Sequence, residues 1–248
     1  MGGQAVQPIV KGRYRARLAT TAADVARAQS LRQLTFRTRR GREGTPEADG
    51  FDDGCEHMLI EDQATGDLLC CFRLTLMPAT DVTRSYASQF YDLHRLQNFP
   101  GLLLELGRFC LHPDHPDPDI LRLAWAALTR IVDASEVGLL FGCSSFDGAD
   151  PARHAQALAL LAQAHLAPAQ WQPGVKAARS HALVAHPHDA KAALLEMPPL
   201  LRTYLMMGGW VSDHAVPDHD LDTLHVFTGV QIAAIPPARA RALRAIAG

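Results

Sequence analysis

At 248 residues and 48% hydrophobic content, the chain has enough apolar material for the core of one large domain. Its 24 Lys and Arg against 26 Asp and Glu leave a formal charge of −2; that balance lacks the basic footprint of a nucleic-acid binder, so no nucleic acid is expected as a partner. The five cysteines are odd in number and form no C-x-x-C pair, a pattern of reduced thiols packed as small hydrophobes in a cytoplasmic protein, not of a disulfide frame or a metal site.

Residues 1–12 have no apolar signal core and read as a flexible tail. Tyr14–Ala19 alternates as a first strand, and Thr20 to Asp24 supplies N-cap residues for a helix carrying Val25, Ala28, Leu31 and Leu34. Arg32 and Phe36 lie four apart on that helix, hence on one face. Residues 37–50, rich in charge, Gly and Pro, form a loop. Ten of the Lys and Arg fall within residues 11–42 against Asp24 alone, while 43–67 is mostly acidic. Such a basic surface suits an acidic carrier protein or anionic lipid headgroups; it also suits plain solvation.

His57–Glu61, the turn Thr65-Gly66-Asp67 and Leu68–Met77 predict a hairpin whose second strand contains Arg73. Residues 78–99 are polar and aromatic, with a short helix near Tyr91–Leu96, before the strand Leu102–Leu111. A proline-rich turn follows, then a helix over Ile120–Ala134 capped by Asp119. Gly138–Phe146 is a buried strand. Asp150 as N-cap and Pro151 at the first helical position open a helix through Ala164. Residues 165–197 show weak periodicity and receive no element. Pro198-Pro199 opens a helix over Leu200–Met207 that Gly208-Gly209 ends, Val211–Val216 and Leu224–Ile232 are closing strands, and 236–248 is a tail or short helix. This order predicts a single α+β domain over 13–235, built on a partly antiparallel sheet. No apolar run approaches the ~20 residues of a membrane helix, so any membrane contact is expected to be peripheral, at the inner face of the cytoplasmic membrane.

Leu102–Leu111 reads Leu-Leu-Leu-Glu-Leu-Gly-Arg-Phe-Cys-Leu and places a carboxylate and a guanidinium inside an apolar run. Neither belongs there unless it pairs or does chemistry. On a regular strand Glu105 and Arg108, three apart, point to opposite faces. A β-bulge at Gly107 would bring both to one side and free a backbone N–H. A buried Glu–Arg pair that merely joins two elements is the plainer reading.

At Leu31-Arg32 with Phe36, Asp49-Gly50-Phe51-Asp52, Phe72-Arg73-Leu74 and Glu105-Leu106-Gly107-Arg108 the chain resembles the acyl-homoserine-lactone synthases. It is more similar still to the ornithine-lipid N-acyltransferases, through residues 51–57, 104–113, 140–146 and 195–201. The resemblance covers residues 14–232. It implies a GNAT-like acyltransferase fold, a central mixed and mostly antiparallel sheet flanked by helices, with a bulged strand beside the thioester. The glycine-spaced diphosphate loop of that fold is missing between Leu111 and Leu121. His112-Pro113-Asp114-His115-Pro116 cannot wrap a diphosphate with the same backbone freedom. The expected donor is therefore an acyl carrier protein with its phosphopantetheine arm; no bound cofactor is expected.

The implied reaction moves a fatty acyl group, 3-hydroxylated in the family, to the α-amine of ornithine and gives a lyso-ornithine lipid. A thioester is attacked only by a neutral amine, so a base must take a proton. Glu105, its pKa raised by an apolar strand, is the candidate, acting directly or through a water. A backbone N–H at Gly107 would stabilise the oxyanion, and Arg108 would position Glu105 or clamp the acceptor carboxylate. Arg32 and Arg73 suit the same carboxylate, Asp49 and Asp52 suit a second ammonium, and Phe36 and Ser144 complete the substrate-binding set. The same transfer to another amino acid such as glutamine, homoserine-lactone synthesis, or a module that binds acyl carriers without turnover are the alternatives.

Overall fold

The computed structural model describes residues 7–38, 41 and 47–247. In chain order the elements are β1 (Ile9–Lys11), β2 (Tyr14–Leu18), α1 (Ala22–Arg32), β3 (Glu56–Asp62), β4 (Leu68–Pro78), β5 (Tyr91–Asp92), β6 (Leu102–Leu111), α2 (Pro118–Ala134), β7 (Val137–Asp147), α3 (Ala155–Ala164), β8 (Gly174–Val175), β9 (His181–Ala182), α4 (Ala190–Glu196), α5 (Pro199–Met206), β10 (Trp210–Asp218), β11 (Thr223–Gln231) and α6 (Pro237–Ala247). They fall into two compact units. One comprises Met1–Thr75, Leu106–Glu136 and Pro237–Gly248, the other Leu76–Glu105 and Val137–Pro236, with boundaries inside β4 and β6.

The first unit runs β1-β2-β3-β4-β6, with antiparallel pairing from β1 through β4. Alternation sorts its two faces. Leu59 pairs with Cys71, and both pack with Ala28 and Leu31 of α1 and with Cys110. Met58, Ile60 and Phe72 point the other way, the side on which the Tyr14 hydroxyl donates to Asp117 at the start of α2. Residues 9–11, read above as tail, form a strand because Ile9 buries opposite Ala16 and Gly12, at φ 58, turns the chain back. Residues 1–6 lie outside the described residues. The cap of α2 is Asp117, not Asp119: it accepts the Asp119 N–H at 2.9 Å, and Pro118 takes the first helical position. Beyond Arg32 the first helix continues as a π-helical turn over Gln33–Arg37, in which the Thr38 N–H reaches the Gln33 carbonyl.

The second unit runs β6-β7-β11-β10-β9. β6 and β7 are parallel from Leu102↔Val137 to Glu105↔Phe141, and the remaining pairs are antiparallel. One face carries Leu103, Phe141, Phe227 and Trp210 against Val82, Tyr91, Leu93, Leu96 and Phe99 from the short turns of residues 79–99. The opposite face carries Phe146, Leu224 and Val226 against Leu158 and Leu161 of α3 and Leu201 of α5. β10 holds extra residues between Val211 and Ala215, and the Ser212 hydroxyl accepts the Phe227 N–H that the bulge leaves without a ladder partner. Residues 165–197, given no element from the sequence, hold β8, β9 and α4, the last capped by Asp189. Elements of two to seven residues are too short to display a period.

The Trp210 indole packs on Gly229: a Cβ there would come 2.5 Å from Cη2. Gly229→Ala should lower stability by ~1–3 kcal/mol through overpacking. Urea unfolding of Gly229→Ala alone and combined with Trp210→Ala checks this, since relief of the clash makes the pair strongly non-additive.

Candidate active site

In the first unit an arginine–carboxylate cluster gathers most of the residues singled out above. Arg32, 1% exposed at the end of α1, donates to Asp52 from Nη1 at 2.6 Å and Nη2 at 3.3 Å. Arg73 follows Cys71 by two on β4, so it faces α1, and its Nη1 donates to Asp52 at 2.9 Å and Asp49 at 2.5 Å. Arg108 donates from Nε to Glu47 at 2.6 Å and from Nη2 to Asp49 at 3.1 Å. Gln29 adds a bond to Asp52 at 2.9 Å, and Arg37 meets Glu47 at 3.1 Å. Phe36 lies at the edge, against the Leu31, Leu59, Cys71 and Cys110 cluster.

The electrostatics follow from that sharing. Burial pushes the Asp52 carboxyl up, but hydrogen bonds from Arg32, Gln29 and Arg73 outweigh it and hold the group well below the usual carboxylate range. Asp49 goes the same way, burial opposed by Arg73 and Arg108. Asp49 and Asp52, read as partners for a substrate ammonium, thus already serve guanidinium groups of the protein. Glu47, 3% exposed and joined to Arg32, Arg37 and Arg108, was not singled out from the sequence. It is one acid among several in a charged loop and carries no periodic signal.

The irregular backbone falls one residue beyond the glycine. Arg108 itself has φ 53, the left-handed region, whereas Gly107 does not. A non-glycine residue there costs ~1–2 kcal/mol, which the Glu47 and Asp49 bonds of its side chain offset. A Cβ on Gly107 would approach only Arg73 Nε, at 4.0 Å.

In the second unit Glu105 is 6% exposed on β6. The apolar strand is only part of its surroundings. Its Oε2 accepts the Tyr86 N–H at 2.9 Å and its Oε1 the Ala87 N–H at 2.8 Å, so two successive amides at a turn fix the carboxylate plane. That turn is anchored in its own right: Lys176 Nζ donates to the Ser88 carbonyl at 2.6 Å, the Ala177 N–H to the Phe90 carbonyl at 3.0 Å, and β5 pairs with β8. Glu105 shares a face with Leu103 and, through its register, with Phe141. Ser144 alternates to the other face, where it accepts the Thr228 hydroxyl at 2.9 Å. The structure does not bring Ser144 to Glu105.

The basic stretch of the sequence is matched by acids. Arg13 pairs with Asp62; Arg15, Arg17 and Arg27 converge on Glu61 at 2.9, 2.8 and 2.6 Å; and Arg17 also bridges Asp24 at 2.7 Å. Arg39, Arg40, Arg42 and Glu43 lie outside the described residues. Burial pushes Glu61 up, and the three arginines, Arg17 foremost, bring it down to about 2.

These arrangements are found alongside marked similarity to known proteins. Residues 31–126 match the family model described as an acetyltransferase (GNAT) domain. The L-ornithine N(alpha)-acyltransferase of Rhodobacter capsulatus is 35% identical over 227 residues, 86% of this chain and 88% of that protein. The protein of the same name from Brucella abortus is 33% identical over 234 residues, 87% and 83% of the two chains. Among solved structures, FeeM, an N-acyl amino acid synthase from uncultured soil microbes, superimposes over 97% of this chain and 98% of its own with a TM-score of 0.52 at 10% identity, a likeness of fold.

Two outcomes are expected from the charge networks. Asp52→Asn leaves buried Arg32 short of its counter-charge and should cost ~3–5 kcal/mol in denaturant unfolding. Glu61, depressed in the folded state, contributes stability that is complete above its ordinary value of 4.5 and is lost as pH falls toward about 2. Unfolding midpoints measured from pH 7 to pH 3 should therefore fall less steeply for Glu61→Gln than for the unsubstituted protein. By sequence identity and extent of alignment, the chain belongs to the L-ornithine N(alpha)-acyltransferase family, on a GNAT acyltransferase domain.

Proposed function

We propose that this protein transfers a fatty acyl group, 3-hydroxylated, from an acyl carrier protein to the α-amine of L-ornithine, giving a lyso-ornithine lipid. Membership of a family whose relatives are named for acylating ornithine is the observation that carries the reading. The donor is the acyl carrier protein's phosphopantetheine thioester, because the segment after β6 is rigid with proline where a free diphosphate would need pliant backbone. The described arginines between residues 13 and 37 are already paired with acids, so the carrier reading rests on that segment. An amphiphilic product suits a protein that works at the inner face of the cytoplasmic membrane through peripheral contact.

Glu105 takes the proton of the attacking amine, directly or through a water, as its carbon–nitrogen bond forms and the thiolate leaves. Its two amide donors hold the carboxylate in one orientation before substrate arrives. A backbone N–H at Gly107 and the guanidinium groups of Arg108, Arg73 and Arg32 meet the developing oxyanion and the acceptor's carboxylate. Asp49 and Asp52 act by setting those guanidiniums while presenting negative charge to the acceptor's second ammonium.

The test is mass spectrometry of a reaction containing 3-hydroxyacyl carrier protein and ornithine. Acyl-ornithine should form, and Glu105→Gln should slow its formation ~10²–10⁴-fold, the usual worth of a positioned base. Unchanged turnover in the variant would remove Glu105 from the reaction. Acylation of glutamine instead of ornithine would change the acceptor, and no acyl amide from any mixture would overturn the reading.

A further inference from the structure

We infer that the α4–α5 hairpin is the surface by which the protein docks on an anionic bilayer. This gives a location to the peripheral contact of the proposed function and rests on that reading. The two helices bury apolar residues, Ala193 and Leu201 among them, and carry further apolar residues on their outer faces. α4 turns Lys191, Leu194 and Leu195 outward, and α5 turns out Pro199, Arg202 and Met206, the spacing of one helix face. Leu195 is 75% exposed, Met206 55% and Leu194 48%. A water-facing helix normally places charge at such positions.

Leu194, Arg202 and Met206 also line one groove of about 500 Å³, so the outward faces of the two helices look the same way. Its other lining residues are apolar apart from His165. The cations Lys191 and Arg202 flank this apolar surface. Of the neighbouring acids, Glu196 accepts the Ala157 N–H at 3.0 Å, and Asp189, exposed at the N-cap of α4, accepts the Lys191 and Ala192 N–H groups, where the helix N-terminus offsets its charge. What remains outward is apolar surface with an ammonium and a guanidinium beside it, complementary to the acyl boundary and phosphates of an anionic leaflet.

A substrate's acyl chain is the competing occupant, and the fold disfavours it. The groove opens on the α3–α5 side of the second unit's sheet, whereas Glu105 shares the opposite face with Leu103 and Phe141. Docking through α4–α5 leaves the Glu105 face of this unit's sheet turned away from lipid.

The experiment is flotation of the full chain with vesicles of phosphatidylcholine alone or mixed with phosphatidylglycerol. The protein should bind the mixed vesicles and release at high salt. Leu195→Glu with Met206→Glu should abolish binding to both. Lys191→Gln with Arg202→Gln should weaken binding to the anionic vesicles about tenfold. Both pairs should retain acyl-ornithine formation from soluble substrates, which shows that they fold. Absence of vesicle binding at low salt, binding that neither pair of substitutions alters, or a dimer that Leu195→Glu and Met206→Glu dissolve would each overturn the assignment. Turnover without vesicle binding defeats the docking surface alone; vesicle binding without turnover defeats the proposed reaction alone.

Discussion

The bond pattern of Asp52 holds the first unit's site together. Two arginines with almost no exposure, Arg32 and Arg73, cannot leave water without an anion in contact, and Asp52 is in contact with both. Because Arg32 ends α1 and Arg73 lies in β4, one carboxylate ties a helix to a strand and pins the chain that leads into β3. Asp49 and Glu47 extend the arrangement to Arg108. Such buried pairs contribute little net stability against an apolar alternative. What they supply is position: guanidinium planes fixed before any ligand is present.

Glu105 is positioned by a different device. Its orientation comes from main-chain amides, which neither rotate away nor depend on a second ionisable group. The two features share strand β6 in the sequence, Glu105 and Arg108 being three residues apart, yet each is completed by its own surroundings. Carboxylates hold the arginine, and two main-chain amides of a turn orient the glutamate.

Where side chains carry the information, the sequence is readable. The strand Leu102–Leu111 was identified with its observed limits, because ten largely apolar residues stop abruptly at His112-Pro113. Arg32, Asp49, Asp52, Arg73 and Arg108 were grouped through family resemblance, and they do meet. Periodicity alone could not have joined them, since they come from a helix, a loop and two strands. Glu47 escaped because a loop has no repeat against which one acid stands out. The clamp on Glu105 escaped for a different reason: amides at Tyr86 and Ala87 are the same chemical group whatever residue bears them. Ser144 was grouped by its neighbours along the chain, and alternation then set it on the other face from Phe141. The π-helical turn at Gln33–Arg37 has no composition of its own that would announce it.

The turn that holds Glu105 has a consequence for the order of assembly. Residues 86–92 are kept in place by β8 and its flank at 174–177, and the parallel partner of β6 is a strand that begins at Val137. Parallel neighbours cannot be joined by a tight reversal, so this pairing must wait for a long intervening segment. As the chain leaves the ribosome, the Tyr86 and Ala87 amides are made before Glu105, but the strands that anchor their turn and pair with β6 are made well after it. Contacts of such wide sequence separation form late and slowly. The carboxylate's orientation is among the last features to be completed, and a partly made chain would carry the residue without its function.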